Sequence, residues 1–270
     1  MKTTACTLLS VVLMLAASCV SQAAQLEPDQ QRETKPRETE PVDDKNQPKL
    51  TSLISKLDAG KQVTIVALGD SNTELTFHTR GRLTATGLLK VALFQKYGNN
   101  KVIMINAGRC GEGPAGGLER LDRDVLRFSP DLVIICYRVG QIDELAKIVE
   151  KIQASSDDVE ILLRTPNPAI ATNPAIAPGG VPGKELPGRG LSKFVGQIIE
   201  LGRKTGCPVV DHYNAWLAEA EKPYTGRPVA NPNAVWLRMS DSIHPGPLGH
   251  LVFFREMAPY FDLPQRLPWE

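Results

Sequence analysis

The sequence predicts a three-layer α/β fold in which helices cover both faces of a parallel sheet. Short apolar runs at residues 62–68, 101–105, 131–137, 159–163 and 208–210 are typical of buried strands. Helical spacing of apolar side chains occurs between or after them, at residues 83–97, 117–128, 142–152, 191–204 and 249–260. Fully apolar strands that alternate with helices indicate a parallel sheet covered on both sides. Functional residues of such folds gather at the carboxyl ends of the strands.

The N-terminus has the pattern of a secretion signal followed by a polar linker. Lys2 precedes a short apolar run at residues 7–17, and small side chains favour cleavage after Ala23, so residues 1–23 are predicted to be a signal peptide. A lipobox-like sequence ending at Cys19 is the alternative, and it would leave a lipid anchor there. Residues 24–49 are charged, rich in proline and nearly free of apolar side chains, which predicts a disordered linker.

The folded domain is therefore expected at residues 50–266, in a protein that is secreted, periplasmic or a lipoprotein. No transmembrane span is expected, because the apolar run of the signal is too short to cross a bilayer. Lys and Arg total 31 and Asp and Glu total 30, so no net charge would attract nucleic acid or an anionic membrane.

Cysteine usage and motifs point away from a metal or cofactor. Cys110, Cys136 and Cys207 remain after the signal, and none lies in a spacing typical of zinc sites. No phosphate loop, dinucleotide fingerprint or zinc-protease motif occurs. We expect neither a metal nor a cofactor, no obligatory disulfide framework, and a buried Cys136.

Two short motifs carry the chemistry of a serine nucleophile. Ser71 follows Gly69 and Asp70 at the end of the first predicted strand, where a tight turn can expose its hydroxyl. Near the C-terminus, Asp241 stands three residues before His244. Serine needs a base to take its proton, and histidine serves best when a carboxylate orients its ring. Asp70 is expected to fix its own turn by backbone hydrogen bonds.

These motifs resemble the first and last blocks of the SGNH (GDSL-type) serine hydrolases. Residues 106–112 resemble the second block, in which Gly111 matches a glycine whose N–H binds the oxyanion. The resemblance implies a flavodoxin-like sheet, the SGNH hydrolase fold, and cleavage of small-molecule or polysaccharide esters through an acyl-enzyme. It implies Ser71 as nucleophile, His244 as base, Asp241 as its orienting carboxylate, and the N–H groups of Ser71 and Gly111 as oxyanion donors. A carbohydrate deacetylase is one secreted form of this activity.

The third block departs from the family pattern. The family has Gly-x-Asn-Asp, and its Asn donates a further hydrogen bond to the oxyanion, whereas residues 138–141 read Arg-Val-Gly-Gln. Gly140 stands where that Asn belongs. Arg138 and Gln141 are the alternative donors. Two other functions remain open. One is a pseudo-enzyme that binds a glycan or acylated ligand, and the other is a transferase that passes the acyl group to an alcohol. Replacing Gly140 by Asn is expected to restore the donor and raise kcat.

Three further features are weaker candidates. His78 follows the nucleophile block and could line the cleft. The adjacent Asp211 and His212, and His250 on the last helix, are interpreted as structural. A long segment rich in proline and glycine at residues 165–190 contains the pentapeptide Asn-Pro-Ala-Ile-Ala twice, and it forms either a wall of the cleft or a surface insertion.

Overall fold

The structure is a computed structural model that describes residues 50–74, 79, 83–169, 191–221 and 238–268. The chain divides into a first unit, Met1–Asp43, and a second, Asp44–Glu270, and the sheet and its helices all belong to the second unit. The predicted signal peptide, its alternative anchor at Cys19, the predicted linker, His78 and most of the segment at 165–190 lie outside the described residues.

Five parallel strands form the sheet, in the order β2-β1-β3-β4-β5. Their bounds are Val63–Gly69 for β1, Val102–Gly108 for β2, Leu132–Cys136 for β3, Glu160–Arg164 for β4 and Val209–Val210 for β5. Gly69 at the end of β1 lies opposite Gly108 of β2 and Cys136 of β3. The carboxyl ends of three neighbouring strands therefore lie level with one another, and the predicted parallel α/β fold is confirmed.

Helices pack on both faces of this sheet. They are α1 Thr51–Asp58, α2 Ser71–Glu74, α3 Ala85–Tyr97, α4 Pro114–Glu119, α5 Leu121–Asp124, α6 Ile142–Gln153, α7 Ser192–Thr205, α8 His212–Glu221 and α9 Pro247–Met257. One core cluster joins α1, α3 and α9 to the sheet face that carries Ile65, and the other joins α6 and α7 to the face that carries Val66. Neighbouring residues of β1 thus enter opposite cores, as the period of a strand requires.

The segment predicted as one helix at residues 117–128 is broken into three short pieces, so that prediction is wrong. Helices α4 and α5 are followed by a 3₁₀ turn at Leu126–Phe128, and the chain leaves helical geometry at Arg120 and Val125. Two adjacent glycines, Gly116 and Gly117, weaken the first piece. Tyr137 requires one of them, because its hydroxyl occupies the space that a Cβ on Gly117 would fill.

Helices α1 and α8 are present although the apolar spacing did not predict them. The first turn of α1 is fixed by a distant side chain, since the Glu160 carboxylate accepts hydrogen bonds from the N–H groups of Ser52, at 3.2 Å, and Leu53, at 2.8 Å. A carboxylate at a helix N-terminus satisfies otherwise unpaired N–H groups. Across the described part of the chain, no helix has the length and apolarity needed to cross a membrane.

Candidate active site

The turn after β1 requires glycine and is fixed by the Asp70 carboxylate. A Cβ on Gly69 would overlap the carbonyl oxygen of Cys136, so no other residue fits there. Asp70 is buried, and its two oxygens accept hydrogen bonds from Asn72 N at 2.9 Å and Arg138 N at 2.5 Å. Burial raises the pKa of the Asp70 carboxyl, although both N–H donors act against that rise. The structural role expected for Asp70 is confirmed, and it extends to the turn after β3.

Ser71, His244 and Asp241 form a continuous hydrogen-bonded row at the carboxyl edge of the sheet. Ser71 Oγ lies 2.9 Å from His244 Nε2, and His244 Nδ1 lies 2.8 Å from Asp241 Oδ2. An ionised carboxylate can only accept, so Nδ1 donates to Asp241 and the neutral ring presents Nε2 as an acceptor to the Ser71 hydroxyl. The arrangement can therefore withdraw a proton from the serine.

Asp241 organises the histidine through its backbone as well as its ring. Its Oδ1 accepts hydrogen bonds from the N–H groups of Ile243 and His244, both at 2.7 Å. Partial burial alone would raise the pKa of Asp241, but the hydrogen bonds from the His244 ring and from these two N–H groups outweigh it and hold the pKa well below its ordinary value. Asp241 is therefore ionised whenever the imidazole is neutral.

The segment that carries the histidine is a closed loop before α9. Met239 and Pro245 form an antiparallel bridge, Ser240 N donates to His244 O at 2.8 Å, and Gly246 N donates to Arg238 O at 2.7 Å. Pro247 then begins α9 at a position where its missing N–H costs no hydrogen bond. These bonds give the loop a defined shape at the start of a helix that packs on the sheet.

Gly111 lies in a tight turn that is joined to the end of β1. Glu112 N donates to Arg109 O at 3.3 Å, and Gly111, with φ of +73°, occupies the position of that turn that favours glycine. Arg109 N donates to Gly69 O at 2.9 Å, so the turn is joined to the end of β1. The second block and the Ser71 turn therefore meet at the same edge of the sheet.

A Cβ at Gly140 would meet the ring of Pro114, which argues against the gain in kcat expected from the family's asparagine. Its φ is +145°, and a Cβ there would lie 2.9 Å from Pro114 Cγ and closer still to Cδ. A side chain at this position would meet both an unfavourable backbone conformation and the ring that begins α4. Gly140 thus lets the third block lie close to Pro114, at the start of the helix that follows the second block.

The two alternative donors of the third block differ in placement. Arg138 is half-buried; its Nη1 donates to Asn167 O at 2.8 Å, which directs the guanidinium toward the end of β4. Gln141 is exposed at the N-cap of α6, where its carbonyl accepts from Leu145 N. Of the two side chains, only that of Arg138 is seen bonded to another segment of the strand-end edge.

Two polar pairs that the sequence interpretation missed also support this edge. Asn72, next to Ser71, donates from Nδ2 to Asn167 Oδ1 at 3.2 Å. Glu112, next to Gly111, accepts from Arg120 Nε at 2.8 Å in an ion pair with little exposure to solvent. The signal for Asn167 was its position between Pro166 and Pro168 directly after a strand, where regular structure must stop.

Other titratable groups near the strand ends have structural surroundings. Burial raises the pKa of Cys136 to about 11, so the thiol stays protonated beside Gly69. His212 is buried between Arg164 Nε, at 3.3 Å, and Phe253 O, at 3.1 Å, and His250 is buried on α9 and accepts from Ala85 N at 3.0 Å. Within the described ranges, no group of three or more His, Cys, Asp and Glu side chains could hold a metal ion.

Comparison with known proteins gives one family and several solved structures. The sequence profile of the GDSL-like lipase/acylhydrolase family matches residues 67–252. The chain is 20% identical to a two-domain esterase active on acetylated mannans, with a TM-score of 0.62 over 79% of this chain and 52% of that chain. It is 17% identical to a catalytic mutant of an acetylxylan esterase from Geobacillus stearothermophilus, with a TM-score of 0.56 over 77% of this chain and 98% of that chain.

A third solved structure is LAE5, an alpha/beta hydrolase enzyme from the metagenome of Lake Arreo, Spain. It is 19% identical, with a TM-score of 0.53 over 74% of this chain and 95% of that chain. Among proteins with curated descriptions, none matches the sequence. The chain spans about half the length of the two-domain esterase, and at these identities the solved structures establish the fold.

Proposed function

The chain belongs to the GDSL-like lipase/acylhydrolase family, and we propose that it is an extracytoplasmic serine ester hydrolase that removes small acyl groups from carbohydrates. The observation that carries the proposal is the row of hydrogen bonds from Ser71 through His244 to Asp241, at 2.9 and 2.8 Å. Such a row suits acyl transfer, because the base reaches the nucleophile and the carboxylate holds the base in one tautomer.

In the proposed reaction, Ser71 Oγ forms a bond to the acyl carbon while His244 Nε2 takes the hydroxyl proton. The carbonyl oxygen becomes an oxyanion, which the N–H groups of Ser71 and Gly111 would bind. As the tetrahedral intermediate collapses, the bond to the alcohol oxygen breaks and His244 returns the proton to that alcohol. Water then attacks the acyl-enzyme by the same sequence of proton transfers, which releases the carboxylic acid and the free serine.

The substrate class and the location are supported by different observations. The solved esterases of similar fold include one active on acetylated mannans and an acetylxylan esterase. Those two activities favour an acetylated polysaccharide as the substrate of this chain. The apolar run at residues 7–17, with its preceding lysine and following small side chains, supports export from the cytoplasm.

The test is acetate release from acetylated mannan, acetylated xylooligosaccharides and a short-chain aryl ester. We expect turnover by the unmodified protein, and losses of at least about 10³-fold in Ser71→Ala and His244→Ala that do not add in the double variant. Ser156→Ala is the matched control, because Ser156 is exposed between α6 and β4, at the opposite end of the sheet. Undiminished turnover by Ser71→Ala would show that another group does the chemistry.

The second candidate function is ligand binding without turnover. It is favoured by the altered third block, because Gly140 offers no side-chain donor to the oxyanion. A fluorophosphonate probe separates the two functions. Labelling that Ser71→Ala abolishes supports the hydrolase, whereas ligand binding without labelling or acetate release supports a pseudo-enzyme. Product analysis with an added acceptor alcohol identifies a transferase, because a new ester would then accumulate in place of free acetate.

A further inference from the structure

One buried amide connects the segments that carry the nucleophile and the base. Asn167 lies just after β4 and has no measurable exposure to solvent. Its Nδ2 group donates to Pro168 O at 3.0 Å and to Ile243 O at 2.9 Å, and its Oδ1 accepts from Asn72 Nδ2 at 3.2 Å. Both amide protons and the amide oxygen are thus engaged, so the group has a single orientation that satisfies these three partners.

The partners of this amide are the chain neighbours of two proposed catalytic residues. Ile243 O belongs to the peptide unit that leads into His244, and Asn72 follows Ser71 directly. The amide therefore joins two segments that lie far apart in the sequence, the nucleophile turn after β1 and the loop before α9. It does so without touching either reacting side chain in a described hydrogen bond.

The position of the loop that carries His244 depends on hydrogen bonds from outside that loop. The bridge between Met239 and Pro245 and the bonds from Asp241 Oδ1 determine the internal shape of the loop. They do not determine how far His244 Nε2 stands from Ser71 Oγ. The hydrogen bond from Asn167 to Ile243 O connects the loop to the end of β4, and the one from Asn72 connects the same amide to α2.

The backbone of Asn167 is itself held on the side of the third block. Arg138 Nη1 donates to Asn167 O at 2.8 Å, while Arg138 N donates to the buried Asp70 carboxylate. Arg138 and the amide together link the segments that follow β1, β3 and β4 with the loop before α9. Arg138 therefore has a place in the edge that does not require it to touch the substrate.

We propose that Asn167 is a positioning residue that sets the distance between the nucleophile and its base. The inference rests on the proposed function, since it assigns a purpose to the separation of Ser71 and His244. Loss of the amide would let the base loop shift relative to α2. A displacement of about 1 Å at a reacting group can lower turnover by about 10²-fold.

The test is Asn167→Ala, measured by kcat, KM and the rate at which a fluorophosphonate labels Ser71. We expect kcat and the labelling rate to fall together by about 10- to 100-fold, with KM changed by less than about threefold, because the deprotonation step and not substrate contact is affected. Asn167→Asp should be at least as impaired, since a carboxylate has no proton for Ile243 O. The kcat and labelling rate of Asn72→Ala should fall less, because the hydrogen bond from Asn167 to Ile243 O survives in that variant.

Thr165→Val is the matched control on the same segment. Thr165 is equally buried, and its hydroxyl bonds to Asp211 Oδ1 at 3.2 Å and accepts from Tyr213 N at 2.9 Å, on the side of α8. We expect Thr165→Val to lower Tm as Asn167→Ala does while kcat and the labelling rate stay within about twofold of the unmodified protein, because the side-chain partners of Thr165 lie on the side of α8 and not on the loop that carries His244. Full kcat in Asn167→Ala, or an equal loss in Thr165→Val, would overturn the proposal.

A readout without turnover separates this inference from the proposed function. The His244 Nδ1 proton, shared with Asp241, should give a low-field proton resonance that His244→Gln removes. If the unmodified protein neither releases acetate nor reacts with the probe, the hydrolase proposal fails. The positioning proposal then stands if Asn167→Ala shifts or broadens that resonance and Thr165→Val does not, and it falls if Asn167→Ala leaves the resonance unchanged.

Discussion

Replacing Gly140 by asparagine should destabilise the protein without activating it. The family pattern alone favours a gain in kcat, because the asparagine would donate to the oxyanion. The structure opposes it for two reasons. The backbone at Gly140 has φ of +145°, and a Cβ would fall within the ring of Pro114, 2.9 Å from Cγ and closer to Cδ. The chain would have to move before any donor could be placed.

Each of the two effects has a known scale. A non-glycine residue in a sparsely populated backbone region costs about 1–3 kcal/mol. Forcing additional carbon atoms into a packed contact costs about 1–3 kcal/mol more. Together they lower the free energy of unfolding by about 2–6 kcal/mol. At about 2–4 °C per kcal/mol for a domain of this size, Tm should fall by about 4–24 °C.

Thermal unfolding and ester turnover of a small variant set would measure the two effects separately. Gly140→Ala carries the same Cβ without a donor, so it should lose nearly as much stability as Gly140→Asn. Pro114→Ala removes the ring atoms in the contact, so the double variant with Gly140→Ala should recover the steric part and leave the backbone part. A tenfold rise in kcat for Gly140→Asn at unchanged Tm would show that this position accepts an asparagine that donates to the oxyanion.

The remaining predictions concern the base and the helices. Asp241→Asn should lower kcat by about 10³- to 10⁴-fold, because the ring loses its ionised partner; an unchanged kcat would exclude Asp241 as that partner. Activity should rise with pH between about 6 and 7, where a free histidine loses its proton, and a flat rate across that range in a folded protein would exclude a histidine base. The pKa of Asp241 is lower in the folded protein than its ordinary value, so its stabilising contribution is present above about pH 4 and is lost as the pH falls further; denaturant titrations from pH 6 downward should show a smaller acid loss in Asp241→Asn. Gly196→Ala should raise Tm by about 1–4 °C, since Gly196 lies inside α7 and nothing stands within 4 Å of its added Cβ; a lower Tm would reveal a contact there.

The fold was predictable because its strands are apolar on both faces. Each of the five predicted strands overlaps an observed one, with bounds that differ by three residues at most. The errors occur where long-range contacts decide the backbone. Helix α1 has only two buried apolar side chains, Leu53 and Leu57, and receives its N-terminal partner from Glu160. The first piece of the broken helix contains Gly117 because the Tyr137 hydroxyl leaves no room for a Cβ there, and Tyr137 belongs to another segment that no local pattern includes.

The site residues were predictable to a different depth. Ser71, Asp241 and His244 belong to short motifs whose chemistry is legible from residue type, and the structure brings their side chains within hydrogen-bonding distance. The hydrogen bonds around these three residues could not be predicted from the sequence, because bonds between residues 76 and 95 positions apart leave no local sequence pattern. The steric contact of Gly140 with Pro114 is of the same kind, since each residue alone is an ordinary turn or helix-start residue.

The altered third block is compatible with an ordered site because that block is held by its backbone. The Asp70 carboxylate accepts N–H groups from Asn72 and Arg138 at once, so the turns after β1 and β3 share one buried acceptor. Neither bond involves a side chain of the third block. A change from asparagine to glycine there removes a side-chain donor to the substrate. The turn itself is still held by the Asp70 carboxylate. The change therefore raises the activation barrier and leaves the stability of the fold unaffected, since an oxyanion donor acts chiefly in the transition state. A hydrolase with this block should therefore keep its Ser71–His244 geometry and turn over with only the backbone N–H groups, or a recruited Arg138, facing the oxyanion.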